Sequence, residues 1–377
     1  MNATSILPTV DTNTLSQASR PAPSTGAVQP SASNPYVGPV PFRRGDSLYG
    51  REREIRELGS LLTSKRIALL ISPSGAGKTS LIQAGLIPRL ESTPRTRLQC
   101  HPVIRLGCCS DGLDGCNGYA LDLMRTLEST VDHSGDRLHD SELAALTLDQ
   151  YAAKRLADDP GKLHLFVFDQ FEELFTLRGS DWKQKREFLR QLGEMLGARS
   201  LPAFDPTILT DEASSDTESI TRRGDNIWVL LSMREDHVAE LEPFRHFFPT
   251  GLSFRYRLLP LEAEPAREAV EKPAGGFFDP EAARVLVDDL RAVQRGAGSS
   301  DLEAERFLGR YVEPMLLQVT CRRLWERIVE GKGRVVPVGD IRGQGTTSEV
   351  DELLVDYFDA AVAQVAPSVA VQRKIRD

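Results

Sequence analysis

One turn constrains this 377-residue chain more than any other stretch: a glycine-rich loop set between an apolar run and a helical segment. Arg66 to Ile71 (RIALLI) is a short apolar run of buried-strand length. It leads into Ser72-Pro73-Ser74-Gly75-Ala76-Gly77-Lys78-Thr79-Ser80, and Leu81-Ile82-Gln83-Ala84-Gly85-Leu86 follows. Strand, glycine turn, Gly-Lys-Thr and helix, in that order, are the parts of a phosphate-binding loop. Gly75 and Gly77 let the backbone turn its N–H groups inward with no Cβ in the way. The helix that starts near Lys78 aims its unpaired N–H groups and positive dipole end at the same point. Ser74, Ala76 and Ser80 complete the loop. Lys78 supplies a full charge for β and γ phosphates, and the Thr79 hydroxyl suits Mg²⁺. The first position of the usual G-x-x-x-x-G-K-[ST] pattern is Ser72 rather than glycine, which a negative φ accommodates.

The second half of such a site is an acid at a strand end. Leu163 to Phe168 (LHLFVF) supplies the strand, and Asp169 follows at once as a metal-holding carboxylate, direct or through water. Glu172 and Glu173 come next. Either can orient an attacking water, since hydrolysis needs a nearby carboxylate acceptor, and either can be a solvated helix start. A third run, Ile227 to Ser232, ends in Met233-Arg234-Glu235-Asp236. Arg234 is placed to reach a γ-phosphate there, or to pair with neighbouring carboxylates.

Apolar runs at His101–Leu106 and Phe254–Leu259, with amphipathic stretches between them, make an α/β chain: a parallel sheet with helices on both faces. The helix before the first strand carries Ile55, Leu58, Leu61 and Leu62 at helical spacing; a later one carries Trp182, Leu189, Leu192 and Leu196. Residues 1–33, rich in Ser, Thr, Pro, Ala and Asn, are expected to be a disordered tail. Asn34 to Phe42, with three prolines and two aromatics, is expected to be a strap across a domain surface. Residues 34–260 are assigned to the nucleotide domain, with an insertion at about 200–226. Beyond Pro260 strand-like runs stop, and 261–377 is expected to be a helical lid. Asp279-Pro280 opens one of its helices; Leu286, Leu290 and Val293 line that helix. Leu317, Cys321, Leu324, Trp325 and Ile328 line a second, and Leu354, Tyr357, Phe358, Ala361 and Val365 a third.

The bulk numbers narrow the function classes. A net charge of −8 opposes general binding to nucleic acid or acidic membranes, and no apolar run has the length of a membrane span. The first residues lack the basic flank and apolar core of a secretory signal, and five cysteines make an odd count. The expectation is a reduced, cytoplasmic protein. Cys100, His101, Cys108, Cys109 and Cys116 crowd one stretch, but their spacing is irregular for structural zinc, and packing as small hydrophobes accounts for them.

Several segments together resemble the bacterial novel STAND NTPases, relatives of the NACHT and apoptotic-ATPase switches. They are Asn34-Pro35-Tyr36 with Pro41-Phe42, Tyr49-Gly50-Arg51-Glu52, the glycine loop, Gln83-Ala84-Gly85-Leu86, Asp169-Gln170-Phe171-Glu172-Glu173, Ser232-Met233-Arg234-Glu235-Asp236, and Val312-Glu313-Pro314-Met315-Leu316-Leu317-Gln318-Val319. The resemblance spans about 34–365. It implies a switch that is closed with ADP and open and self-associating with ATP, turning ATP over slowly, often in defence or stress signalling. It implies Gly50 and Arg51 beside adenine and ribose, Arg234 as the sensor arginine, and Pro314 contacting the base from the lid. It also implies a winged helix and a sensor after the lid, whereas this chain ends in what reads as the start of a helix, Val371 to Asp377. Other readings are a AAA+-type motor, for which Gln170 stands where an acid is wanted, a small-molecule kinase, for which the lid lacks an arginine cluster, and a regulatory fragment that binds without hydrolysing.

Overall fold

The computed structural model describes residues 33–93, 98–106, 116–131, 136–156, 162–176, 182–197, 226–296, 308–342 and 349–365. Five strands form one parallel sheet in the order β2-β3-β4-β1-β5, with β1 at Ile67–Ser72, β2 at Leu98–Cys100, β3 at Leu163–Phe168, β4 at Ile227–Arg234 and β5 at Arg255–Arg257. Strand side chains alternate between faces, so a sheet covered on both sides needs apolar residues at every position. Ile67, Leu69, Phe166, Phe168, Val229 and Leu231 enter one core. Their neighbours Ala68, Leu70, Leu165, Val167 and Leu230 enter the other. Helix Glu52–Lys65 packs in the second core through Leu58 and Leu62, and Trp182–Met195 in the first through Phe188, Leu189 and Leu192.

The expected strand at His101–Leu106 is displaced. The ladder of β2 ends at Cys100, and only Ile104 rejoins β3 through a single bridge to Phe168. Pro102 has no N–H to donate, so a regular ladder cannot run through it.

The helix that begins at Lys78 is α-helical over Lys78–Ser80, widens to a π-helix over Leu81–Leu86 and returns to α over Ile87–Ser92. The Ile87 N–H reaches back five residues to the Ile82 carbonyl. Pro88 lies directly beyond this turn. It has no N–H for the Ala84 carbonyl and its ring crowds that oxygen, and the wider turn relieves the clash.

The second body is not purely helical. Leu261–Glu262 (β6) pairs antiparallel with Tyr311–Val312 (β7), joining the start of the body to the residues before Pro314. Its described helices are Ala263–Ala274, Pro280–Gly296, Pro314–Leu324 (continued as a π-helix over Trp325–Glu330), the short Gly339–Arg342 and Glu349–Val365. Asp279 Oδ1 caps the second, accepting from Glu281 N at 2.8 Å and Ala282 N at 3.4 Å. Leu317, Cys321, Leu324, Trp325 and Ile328 are all buried. In the last helix Leu354 is buried but Phe358 is 48% exposed, so the expected apolar face stops short of it.

The strap belongs by packing to this second body. Tyr36 is 1% exposed inside the helical core, edge-on to Phe278 and Trp325, and its hydroxyl donates to the Val270 carbonyl at 2.6 Å. Val37 N donates to Gln318 Oε1, and Arg322 donates to the Val37 carbonyl. Five residues on from Val37, Phe42 N donates to Ser80 Oγ at 3.2 Å, on the first turn after the glycine loop. The expected tail up to residue 32, nearly all of the expected insertion, Cys108, Cys109 and the final stretch from 366 lie outside the described residues. Among the described residues no helix is long and apolar enough to cross a membrane.

Candidate functional site

The carboxyl ends of β1, β3 and β4 open into a cleft of about 550 Å³, walled by the strap on one side and the Pro314–Leu324 helix on another. Ligands of open parallel sheets bind at such an edge. The glycine loop forms its floor. Gly75 at φ +77° and Gly77 at φ +91° hold left-handed conformations that side-chain-bearing residues resist. A Cβ on Gly75 would stand 2.4 Å from Glu313 Oε1, so the lid carboxylate lies against the loop. Arg51 is buried beneath it and donates to the Ala76 carbonyl at 2.9 Å, with Glu54 at 3.2 Å completing its partners. This arginine braces the loop from below as well as lining the cleft.

Lys78 Nζ donates to Ser72 Oγ at 2.9 Å, so the serine at the first loop position serves as a rest for the lysine. Burial lowers the Lys78 pKa, and Glu172 and Asp169 work against that shift. Asp169 is 1% exposed. Its Oδ2 accepts from Thr79 Oγ1 at 2.7 Å and lies 3.5 Å from the Arg105 guanidinium; its Oδ1 accepts from Ser232 Oγ at 3.1 Å. Two hard oxygens 2.7 Å apart suit a magnesium ion, whose octahedral bonds of about 2.1 Å put neighbouring ligands about 3 Å apart. The left-handed glycines, the buried lysine and this oxygen pair together fit a phosphate group with a divalent cation.

Ser74, Gly75, Ala76, Gly77, Lys78, Thr79, Ser80, Arg51, Glu172, Arg234 and Pro314 all line this one cleft, with Asp169 behind Thr79. The two glutamates separate. Glu172 faces the cleft and accepts from the Arg234 main-chain N–H at 3.2 Å. Glu173 is absent from the cleft wall, and burial raises its pKa against the pull of Arg105. Arg234 pairs in two-pronged fashion with Asp236, at 3.1 and 2.6 Å. Pro314 sits over Gly77, its Cγ 3.9 Å from where a Cβ would be.

Gly50 departs from the resemblance. It lies outside the cleft, at φ +75°, where a Cβ would come within 2.2 Å of the Pro265 carbonyl. Its glycine is needed because the two bodies touch backbone to backbone there. Sequence reasoning missed Arg105, Ser232 and Glu313, each brought to the site from a segment remote from the loop. Gln170 also lines the cleft; its φ of +57° is one of three positive values at non-glycine residues among those described. Burial raises the Glu313 pKa.

The model of the family described as Novel STAND NTPase 1 matches residues 35–345. No curated protein matches the chain. Among solved structures, the Aeropyrum pernix ORC2 protein in ADPNP-ADP complexes aligns with a TM-score of 0.51 at 12% identity, over 83% of this chain and 70% of that one. Drosophila ORC bound to DNA aligns with a TM-score of 0.50 at 15% identity, over 93% and 73%. At such identities the likeness is one of fold.

Proposed function

The chain belongs to the novel STAND NTPase 1 family, and from that premise we propose that it is an ATP/ADP switch that hydrolyses slowly and couples nucleotide state to the position of its helical lid. The observation that carries this reading is that the glycine loop faces a second body across the cleft: Glu313 lies against Gly75 and Pro314 over Gly77. A ligand shifts a conformational equilibrium only through contacts that differ between states, and here the phosphate floor and the lid share one boundary.

The chain's own groups divide the work. Lys78 and the loop N–H groups would hold the phosphates, while Thr79 and Asp169 would hold Mg²⁺, whose chemistry when bound is charge neutralisation at the phosphate oxygens. Glu172 would orient the attacking water and Arg234 would leave Asp236 for the γ-phosphate. Gln170 follows Asp169 directly and cannot accept a proton at neutral pH, which favours a switch over a fast motor. An open state that associates with further copies, and a role in defence or stress signalling, extend the same proposal.

The test is binding followed by shape. Mg·ADP and Mg·ATP at about 100 times Kd should each add about 2.7 kcal/mol to the folded state, seen as a rise in melting temperature. Lys78→Ala should abolish it. Solution scattering with ADP and with a non-hydrolysable ATP analogue should then give different interdomain distances. An unchanged melting temperature overturns the nucleotide reading, and identical scattering overturns the switch.

A further inference from the structure

Arg105 is a cleft cation to which none of the roles above gives work. Its position is fixed by the residue before it. Ile104 is fully buried, donates its N–H to the Val167 carbonyl at 2.8 Å and accepts from Asp169 N at 2.9 Å, so its main chain is clamped to the end of β3 from both sides. Arg105 therefore leaves the sheet beside Asp169, although the regular part of β2 ends at Cys100.

The other cations of the cleft have settled partners. Arg51 is held by Ala76 and Glu54, Lys78 by Ser72 and Arg234 by both oxygens of Asp236. Arg105 has a single long contact, 3.5 Å from one nitrogen to Asp169 Oδ2, and its side chain is 42% exposed into the cleft. Its remaining N–H donors meet no hydrogen-bond acceptor among the described residues. Asp169 is held more closely by Thr79 and Ser232, and its charge is the one a divalent cation would offset. Arg105 would then keep its place and lose its one ion-paired carboxylate among the described residues, leaving only the more distant charge of Glu173. A guanidinium fork binds phosphate oxygens in pairs, and the same cleft is lined by Lys78, at the start of the helix after the glycine loop, and by Arg234 from β4.

We propose that Arg105 binds the terminal phosphate of a nucleoside triphosphate, from the side of Asp169 opposite Arg234, and so adds to the preference for triphosphate over diphosphate. This rests on the nucleotide reading above. The test titrates the full chain with a non-hydrolysable ATP analogue and with ADP, both with Mg²⁺, in the wild type, Arg105→Ala and Arg105→Lys. Arg105→Ala should weaken the triphosphate analogue about tenfold or more, the scale of a lost charge-assisted pair, and ADP less than about twofold. Arg105→Lys should fall between, and the melting temperature without nucleotide should stay unchanged. Equal weakening of both nucleotides would make Arg105 a support for Asp169, and no change in either would leave it idle; each result overturns the proposal alone. A wild type that binds neither nucleotide overturns the nucleotide reading and this inference with it.

Discussion

Glu172 and Glu173 are adjacent in the chain and differ in what they can do. Glu172 lies on the cleft wall within reach of Lys78's field and under the Arg234 N–H, while Glu173 lies off that wall beside Arg105's charge. Glu172→Gln should slow phosphate release in single-turnover measurements by about 100-fold or more, the usual contribution of a positioned proton acceptor. Nucleotide affinity should hold, and Glu173→Gln should stay within a few-fold of wild type. Sequence alone left these two residues equal because both closely follow Asp169 and both suit a helix start, and the deciding contact comes from a strand some sixty residues later. The loop from Ser72 to Ser80 was legible because consecutive residues build it. Ser232, Arg105 and Glu313 were not, because strand register and the closing of one body on another bring them in. Arg51 was found for its place in a motif, yet its contact is with the Ala76 carbonyl beneath the loop.

The elements were legible in proportion to their regularity. Strands β3 and β4 are uninterrupted apolar runs and fall where the sequence puts them, whereas β2 was lost because Pro102 breaks the ladder inside an apolar run. The β6–β7 ladder is two residues per strand, too short for any alternation to show. Between the two bodies Gly50 makes a close contact with the Pro265 carbonyl, and that contact supports a prediction on elements. Gly50→Ala must hold an alanine at φ +75° and push its Cβ into the Pro265 carbonyl. The left-handed conformation alone costs about 1–2 kcal/mol. Relief comes only by moving the lid's first helix, Ala263–Ala274, away from the sheet domain. The expected outcome is a larger radius of gyration in scattering without nucleotide, with the loss in stability read by urea unfolding. An unchanged radius would mean that the strain stays in the Gly50 turn.

Taken whole, the molecule is two bodies laced together by a strap that belongs in sequence to the first and in packing to the second. Tyr36→Ala should remove about 3–5 kcal/mol from the helical body, the usual cost of emptying an aromatic site in a core. Tyr36→Phe keeps the ring contacts with Phe278 and Trp325 and should cost about 1 kcal/mol for the hydrogen bond to Val270. Denaturant unfolding of the two variants checks the ratio, and equal losses would mean that the hydroxyl rather than the ring anchors the strap. The same anchor orders events on the ribosome. Tyr36 and Val270 are 234 residues apart, so at about 5–20 residues per second the aromatic ring waits on the order of 10–50 s for its pocket. Through that interval Phe42, farther along the strap, has its native partner Ser80 already made, long before the helices of the second body. The nascent sheet domain must therefore carry a bare tyrosine in its strap, and the strap closes only once the segments that hold Val270, Phe278 and Trp325 have been made.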